Sequence, residues 1–219
     1  ASSNLCYTTS NQATLIVTAT LGLPPYQYAI SPSYTYTNSN TFAVLPGTHT
    51  IKVRDSNGCE LTLSPQIIAP QLGINASLIK DIDCSTSPNA VINATISGGT
   101  APFTYQLNIN GSGYGVATSL VPAMGNTLSY STNIAGTIKI KITDAIGCTV
   151  ESQIINITTP AILSGNANAI QATCGLNNGV VTLVASSGTP SYTYSFDGSP
   201  FTSNTVYTGL SVGLHTYTI

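Results

Sequence analysis

Five cysteines, two histidines and seven acidic residues are the groups in this 219-residue chain that could do chemistry, and the cysteines stand in the most regular places. "IKVRDSNGC" spans Ile51–Cys59 and "IKITDAIGC" spans Ile140–Cys148, so Lys, Asp and Gly-Cys are written twice in the same order. The other three, Cys6, Cys84 and Cys174, lie 16, 15 and 14 residues before a Gly that opens a Pro/aromatic cluster. Thiols repeated in this way can hold zinc or form disulfides. Zinc needs close ligand pairs of the C-x2-C kind, and none is present. Disulfides fit better. Because both copies repeat the pattern independently, the expected pairing is one bond per copy, Cys6 with Cys59 and Cys84 with Cys148, with Cys174 joined to a cysteine beyond the chain end. A rival bond, Cys59 to Cys84, would clip adjacent copies together. Closing a within-copy loop would stabilise the fold by about 4 kcal/mol on the chain-entropy model, and disulfides imply a location outside the cytosol.

The remaining candidates point away from catalysis. His49 and His215 each fall two residues after the Gly of a turn, and the matching residue of the middle copy is Ile138. A place that accepts Ile reads as a packing position, not a general base or a metal ligand. Asp55 and Asp144 each close a strand three residues before Gly, which suits an Asp that caps a turn through its own backbone. Calcium wants six to eight oxygens with several carboxylates, more than the few acids here supply. Asp81 and Asp83 beside Lys80 form a small charge cluster that reads as a solvated loop. Asn75, Asn93, Asn110 and Asn156 match N-x-[ST], a weak indicator by itself. No G-x-S-x-G, no H-E-x-x-H and no phosphate-cradling glycine loop appears. The expectation is a protein that is not an enzyme and has no cofactor or metal site.

The elements that position these residues are strands. Charged residues make up 5% of the chain and hydrophobic ones 42%, with a net charge of −2. The polar remainder is short Thr, Ser and Asn, and Val, Ile and Tyr are frequent, which is strand chemistry. A chain without a basic stripe is not expected to bind nucleic acid, and without a long apolar run it is not expected to insert in a membrane. Three anchors recur: "GLPPYQY" from Gly22, "GTAPFTY" from Gly99 and "GTPSYTY" from Gly188. Three, five and seven residues before each Gly lie Ala19, Val17 and Leu15, then Ile96, Ala94 and Ile92, then Ala185, Leu183 and Val181. The residues between them are mostly polar, so each run is a half-buried antiparallel strand. "LPGTHTIKV", "IAGTIKIKI" and "LSVGLHTYTI" then each enter a further alternating strand through a Gly-led turn.

With boundaries at Pro70 and Pro160, the chain reads as three repeats: 1–69 lacking its first strand, 70–159, and 160–219 ending six residues before its closing Cys would fall. The expectation is a segment of a longer tandem array. Each repeat holds several short alternating runs separated by turn residues, so the fold class is all-β, tandem immunoglobulin-like antiparallel β-sandwiches. In each aromatic pair one ring should fill the core. The other, Tyr26, Phe103 or Tyr192, is either structural as well or a face offered to a sugar or partner.

The order Cys, then Gly-Gly-Thr-x-Pro-aromatic-x-Tyr, then a Gly-led turn, then Asp-x-x-Gly-Cys resembles the SprB-type repeat of giant surface adhesins in Bacteroidetes, and more loosely the PKD-like sandwich. It is carried in the middle repeat by Cys84, Gly98, Gly99, Thr100, Pro102, Phe103, Tyr105, Gly136, Asp144, Gly147 and Cys148. The first repeat matches at Cys6, Pro25, Tyr26, Tyr28, Leu45, Gly47, Val53, Asp55, Gly58 and Cys59. The third matches from Cys174 through Tyr194 to Ile219. Leu23-Pro24-Pro25 departs from the motif, and the middle repeat has a longer insert, "NINGSGYGVATSLVPAMGNTLSY", either a specialised binding loop or decoration. The resemblance implies an extracellular, cell-surface adhesin or filament exported by the type IX route and linked in some members to gliding. Its expected partners are adjacent repeats of the same chain, other copies in a filament, and surface glycans. The alternative is a carbohydrate-binding or spacer module of a secreted polysaccharide-active protein. Lateral self-assembly through exposed strand edges is a third reading, because few lysines are available to blunt them.

Overall fold

The computed structural model describes residues 3–120 and 125–219. Within them every regular element is a strand, and every pairing is antiparallel. Repeat 1 carries β1 (Ala13–Ile16), β2 (Gln27–Ile30), β3 (Thr41–Val44), β4 (Gly47–His49), β5 (Ile51–Arg54), β6 (Glu60–Thr62) and β7 (Gln66–Ile68). Repeat 2 carries β8 (Gly73–Lys80), β9 (Ala90–Ser97), β10 (Thr104–Ile109), β11 (Thr118–Ser119), β12 (Thr127–Thr132), β13 (Gly136–Thr143), β14 (Thr149–Glu151) and β15 (Ile155–Ile157). Repeat 3 carries β16 (Gly165–Ile170), β17 (Gly179–Ala185), β18 (Ser195–Phe196), β19 (Val206–Leu210) and β20 (Tyr217–Thr218). Residues 121–124 of the long insert lie outside the described residues.

Repeat 2 displays the plan in full. One sheet runs β12-β9-β8, and the other runs β11-β10-β13-β14 with β15 also paired to β13. The alternation read in the sequence becomes two facing apolar rows: Ala90, Ile92, Ala94 and Ile96 of β9 are buried, as are Ile138, Ile140 and Ile142 of β13. A strand whose alternate side chains are all buried cannot slip by one residue without turning that row to water. Repeat 1 packs Leu15, Val17, Tyr28, Val44, Ile51 and Ile68 in the same manner. Its β1 pairs with β3 on one side, while on the other Asn4 bridges Thr14. Repeat 3 gathers Val181, Leu183, Tyr194 and Phe196, with β17 between β16 and β19.

In repeat 2 the glycine before the aromatic anchor is a close approach. At Gly98, with φ at +61°, an added Cβ would lie 2.0 Å from the carbonyl oxygen of Gln71. The adjacent Gly99 N–H donates to Pro70 O at 2.9 Å. The end of β9 is thereby locked to the residues that lead into β8.

The chain partitions into two compact units, Ala1–Asp81 with Asn89–Ile157, and Ile82–Pro88 with Thr158–Ile219. The three repeats expected from Pro70 and Pro160 thus do not coincide with these two units. The loop that opens the strand pair of repeat 2, Ile82–Pro88, belongs to the unit built on repeat 3. Repeats 1 and 2 share the other unit, and a covalent bond joins them.

Candidate functional site

The two Asp-x-x-Gly-Cys turns are built alike. Asp144 Oδ1 accepts the N–H groups of Ile146 (3.0 Å) and Cys148 (2.8 Å), and its Oδ2 accepts that of Thr100 (3.0 Å). Asp55 Oδ1 accepts from Asn57 (3.0 Å) and Cys59 (2.9 Å), and its Oδ2 from Leu23 (3.2 Å). The expected turn cap is present, and it does more than the sequence indicated. Each carboxylate also ties the turn to the Pro/aromatic anchor more than thirty residues earlier, helped by the Ala145 N–H to Thr100 O bond (2.8 Å) and its counterpart from Ser56 to Leu23 O (2.9 Å). The Cys59 N–H is the first of several backbone donors that hold the Asp55 carboxyl below the usual carboxylate range.

The disulfide corrects the sequence expectation. Cys6 is bonded to Cys148, with the Cα atoms 5.4 Å apart across a separation of 142 residues, and Cys59, Cys84 and Cys174 are free and exposed. The structure thus contains neither Cys6–Cys59 nor Cys84–Cys148, and the rival Cys59–Cys84 bond is likewise absent. For Cys84 and Cys148 the reason lies in strand length. Within repeat 2, Cys84 precedes the start of β9, whereas Cys148 sits beside Thr100, just past its end. The eight residues of β9, at about 3.3 Å each, hold those two ends roughly 25 Å apart. Disulfides need Cα atoms within about 7 Å. The opening cysteine of one repeat can instead reach the closing cysteine of the next.

Around the bond the packing is tight. Leu5 and Tyr7 of the opening loop close over Pro70, Leu72, Ile146 and Cys148, leaving a cavity of about 10 Å³. Thr9 N–H donates to Gln71 Oε1 at 2.9 Å. The equivalent places elsewhere are open. Cys59 borders a hollow of about 330 Å³ with Gly22, Tyr26 and Asp55. Cys84 borders one of about 750 Å³ with Pro160, Leu163, Gly188, Tyr192 and Ile219.

The aromatic candidates divide. Tyr28 and Tyr194 are buried core residues, at 7% and 6% exposure. Tyr26 and Tyr192 are half-buried, pack on the cores of their repeats and line the two hollows. Phe103, at 5% exposure, is no surface platform. It lies under Gly99, whose absent side chain makes room for it, and without a hydroxyl to keep wet it fills the core completely.

The histidines do more than pack. His49 Nε2 donates to Leu45 O at 2.8 Å. His215 has acceptors on both sides, Asp197 Oδ2 at 2.6 Å and Ser211 O at 3.1 Å, and its ring stacks on Phe196 at 5.5 Å. Two acceptors favour the imidazolium. The Asp197 hydrogen bond, then that to Ser211, raises the His215 pKa, and His215 in turn lowers that of Asp197. The sequence carried no signal for this pair, because its two members come from different strand ends of repeat 3. Asp83 caps its own loop, accepting from Ser85 N–H (3.1 Å) and Oγ–H (2.7 Å). Lysines pack on tyrosines at matching places, Lys52 over Tyr34 (5.0 Å) and Lys141 over Tyr114 (4.6 Å). Among the described residues no cluster of three or more His, Cys, Asp or Glu is placed to hold a metal ion, and no helix is long and apolar enough to cross a membrane.

No curated protein matches the chain by sequence. The family model described as the SprB repeat matches at two places, residues 76–112 and 166–201. Each match starts within the first strand of a repeat, β8 or β16, and runs through the aromatic anchor. Over those two stretches, about a third of its length, the chain is similar to the SprB repeat, a repeat that occurs in surface-exposed proteins.

Proposed function

We propose that this chain is a structural, non-catalytic segment of a secreted cell-surface adhesin or extracellular filament, in which tandem sandwiches supply length and resistance to unfolding. The observation that carries the reading is the SprB repeat matched twice in tandem. The Cys6–Cys148 bond supports an oxidising location outside the cytosol. Export by the type IX route and a part in gliding follow from the same resemblance. The partners in this reading are neighbouring repeats, other copies in the filament and surface glycans, with no nucleic acid and no membrane insertion. The test is made on intact cells that produce the protein. Antibody raised against this 219-residue chain should label the outside of unpermeabilised cells, and protease shaving should remove the label together with attachment to surfaces. Labelling that appears only after permeabilisation overturns the reading.

The alternative of a carbohydrate-binding or spacer module draws on Tyr26 and Tyr192, which line hollows, and it loses Phe103 to the core. It predicts glycan binding that falls away in Tyr26→Ala and Tyr192→Ala variants, read on a glycan array.

A further inference from the structure

The chain displays one joint in three states. At Cys6 and Cys148 both halves are present: the opening loop of one repeat, the Asp-x-x-Gly-Cys turn of the next, a covalent bond and a cavity of only about 10 Å³. At Cys59 the turn is fully formed by Asp55, but no opening loop covers it, and a hollow of about 330 Å³ stands beside an exposed thiol. At Cys84 the opening loop is docked in the unit built on repeat 3, but no such turn fills the hollow of about 750 Å³ beside its exposed thiol.

The walls of the Cys84 hollow repeat those of the closed joint. Pro160 stands where Pro70 stands and Gly188 where Gly99 stands, each with a leucine against the glycine: Leu72 Cδ1 would lie 2.7 Å from a Cβ at Gly99, and Leu163 Cδ1 3.0 Å from one at Gly188. Ile219 also lines it. In the Gly-led strand of repeat 2, the residue matching Ile219 is Ile142, two before Asp144. The strand thus ends against this hollow, in the register that leads to the turn in repeat 2.

We infer that the cross-repeat disulfide is the rule of the array: the opening cysteine of each repeat is bonded to the closing cysteine of the repeat that follows. On this rule Cys84 is the donor of a second clasp, and its hollow takes an Asp-x-x-Gly-Cys turn when one is joined after Ile219. Cys59 is the acceptor for the opening loop of any repeat joined ahead of Ala1. Cys174 is the donor toward any fourth repeat. The chemistry is a two-electron oxidation. Two thiols lose two protons and two electrons to a disulfide oxidant such as oxidised glutathione, which leaves as two thiols, and one S–S bond forms. The inference concerns which sulfurs meet, so it stands or falls apart from the adhesive role.

The test extends the full chain after Ile219 with a copy of the residues of Thr143–Ile157, which restores the turn, its cysteine and the strands that follow. After oxidation with oxidised glutathione, non-reducing peptide mapping of the monomer should link Cys84 to the added cysteine. Native alkylation of Cys84 should be lost while Cys174 still reacts. A link from the added cysteine to Cys174, or an added cysteine left free with Cys84 still alkylated, overturns the inference. The unextended 219-residue chain keeps the idea falsifiable should the extended chain misfold. Its map must show Cys6–Cys148 with Cys59, Cys84 and Cys174 alkylated, and a Cys6–Cys59 or Cys84–Cys148 link overturns the rule by itself.

Discussion

The Asp55–Cys59 turn and the Asp144–Cys148 turn share their backbone hydrogen bonds almost bond for bond, yet one ends in a free thiol and the other in a disulfide. The difference is what covers them. Asp144 is buried beneath the loop of Leu5 and Tyr7, while the Asp55 turn faces an open hollow. The turn is therefore a local construction of the carboxylate and the glycine, complete before any sulfur bond forms. The disulfide adds something separate, a tie between repeats. A bond confined to one sandwich would stabilise that sandwich alone. A bond across the joint also resists the parting of neighbours.

The largest break in this comparison is expected at the sulfurs. Cys148→Ser or Cys6→Ser opens a loop of 142 residues, worth about 5 kcal/mol on the chain-entropy model. Cys59→Ser should change stability by less than about 0.5 kcal/mol, as for an exposed surface site. Denaturant unfolding of the oxidised proteins measures both, and equal losses at Cys59 and Cys148 would sink the assignment of the bond.

Next come the carboxylates. Asp144→Ala removes three hydrogen bonds from a buried carboxyl group and leaves partly buried N–H groups unpaired, for a loss of about 2 kcal/mol. Asp55→Ala should lose less in the same assay, because water reaches the groups it abandons.

The third contrast is in pH. Asp55 has a folded pKa below its ordinary 3.8, so its contribution is present above that value and is lost as pH falls through the folded one. His215 has a folded pKa above its ordinary 6.5, and its partner Asp197 one below 3.8. The His215 contribution is full below pH 6.5 and is lost as pH rises through the folded value. That of Asp197 disappears on the acid side. Thermal melts should therefore show the pair stabilising repeat 3 most between those limits, and Asp197→Asn should shrink the alkaline decline to the part due to Ser211 O. A decline that the substitution leaves undiminished assigns it to another group.

The smallest effect is on the strand surface. Lys141→Ala and Lys52→Ala each remove a cation from a tyrosine face, at about 0.5 kcal/mol apiece. Similar values in urea titrations would mark the two strands as equivalent outside the joint.

The strands, their buried faces and the turn-capping aspartates were legible in the residues. Leu15, Ile92 and Leu183 alternate with polar neighbours because a sheet turns successive side chains to opposite faces, and Asp followed by Gly three residues later has few other uses. Phe103 was left open between core and surface because its position in the motif matches that of two tyrosines, and only the packing under Gly99 reveals that it is covered. The His215–Asp197 pair left no trace, since nothing in the order of residues brings a turn and a strand end together.

Period and composition by themselves determined an all-β tandem array, because alternation and turn chemistry act over a few residues. The cysteine pairing belonged to the tertiary structure alone. A repeat is as regular when its cysteines bond inward as when they bond to the next copy, so spacing cannot distinguish the two. Distance can: an eight-residue strand holds its ends too far apart for one bond, and the neighbouring repeat brings the right sulfur within reach.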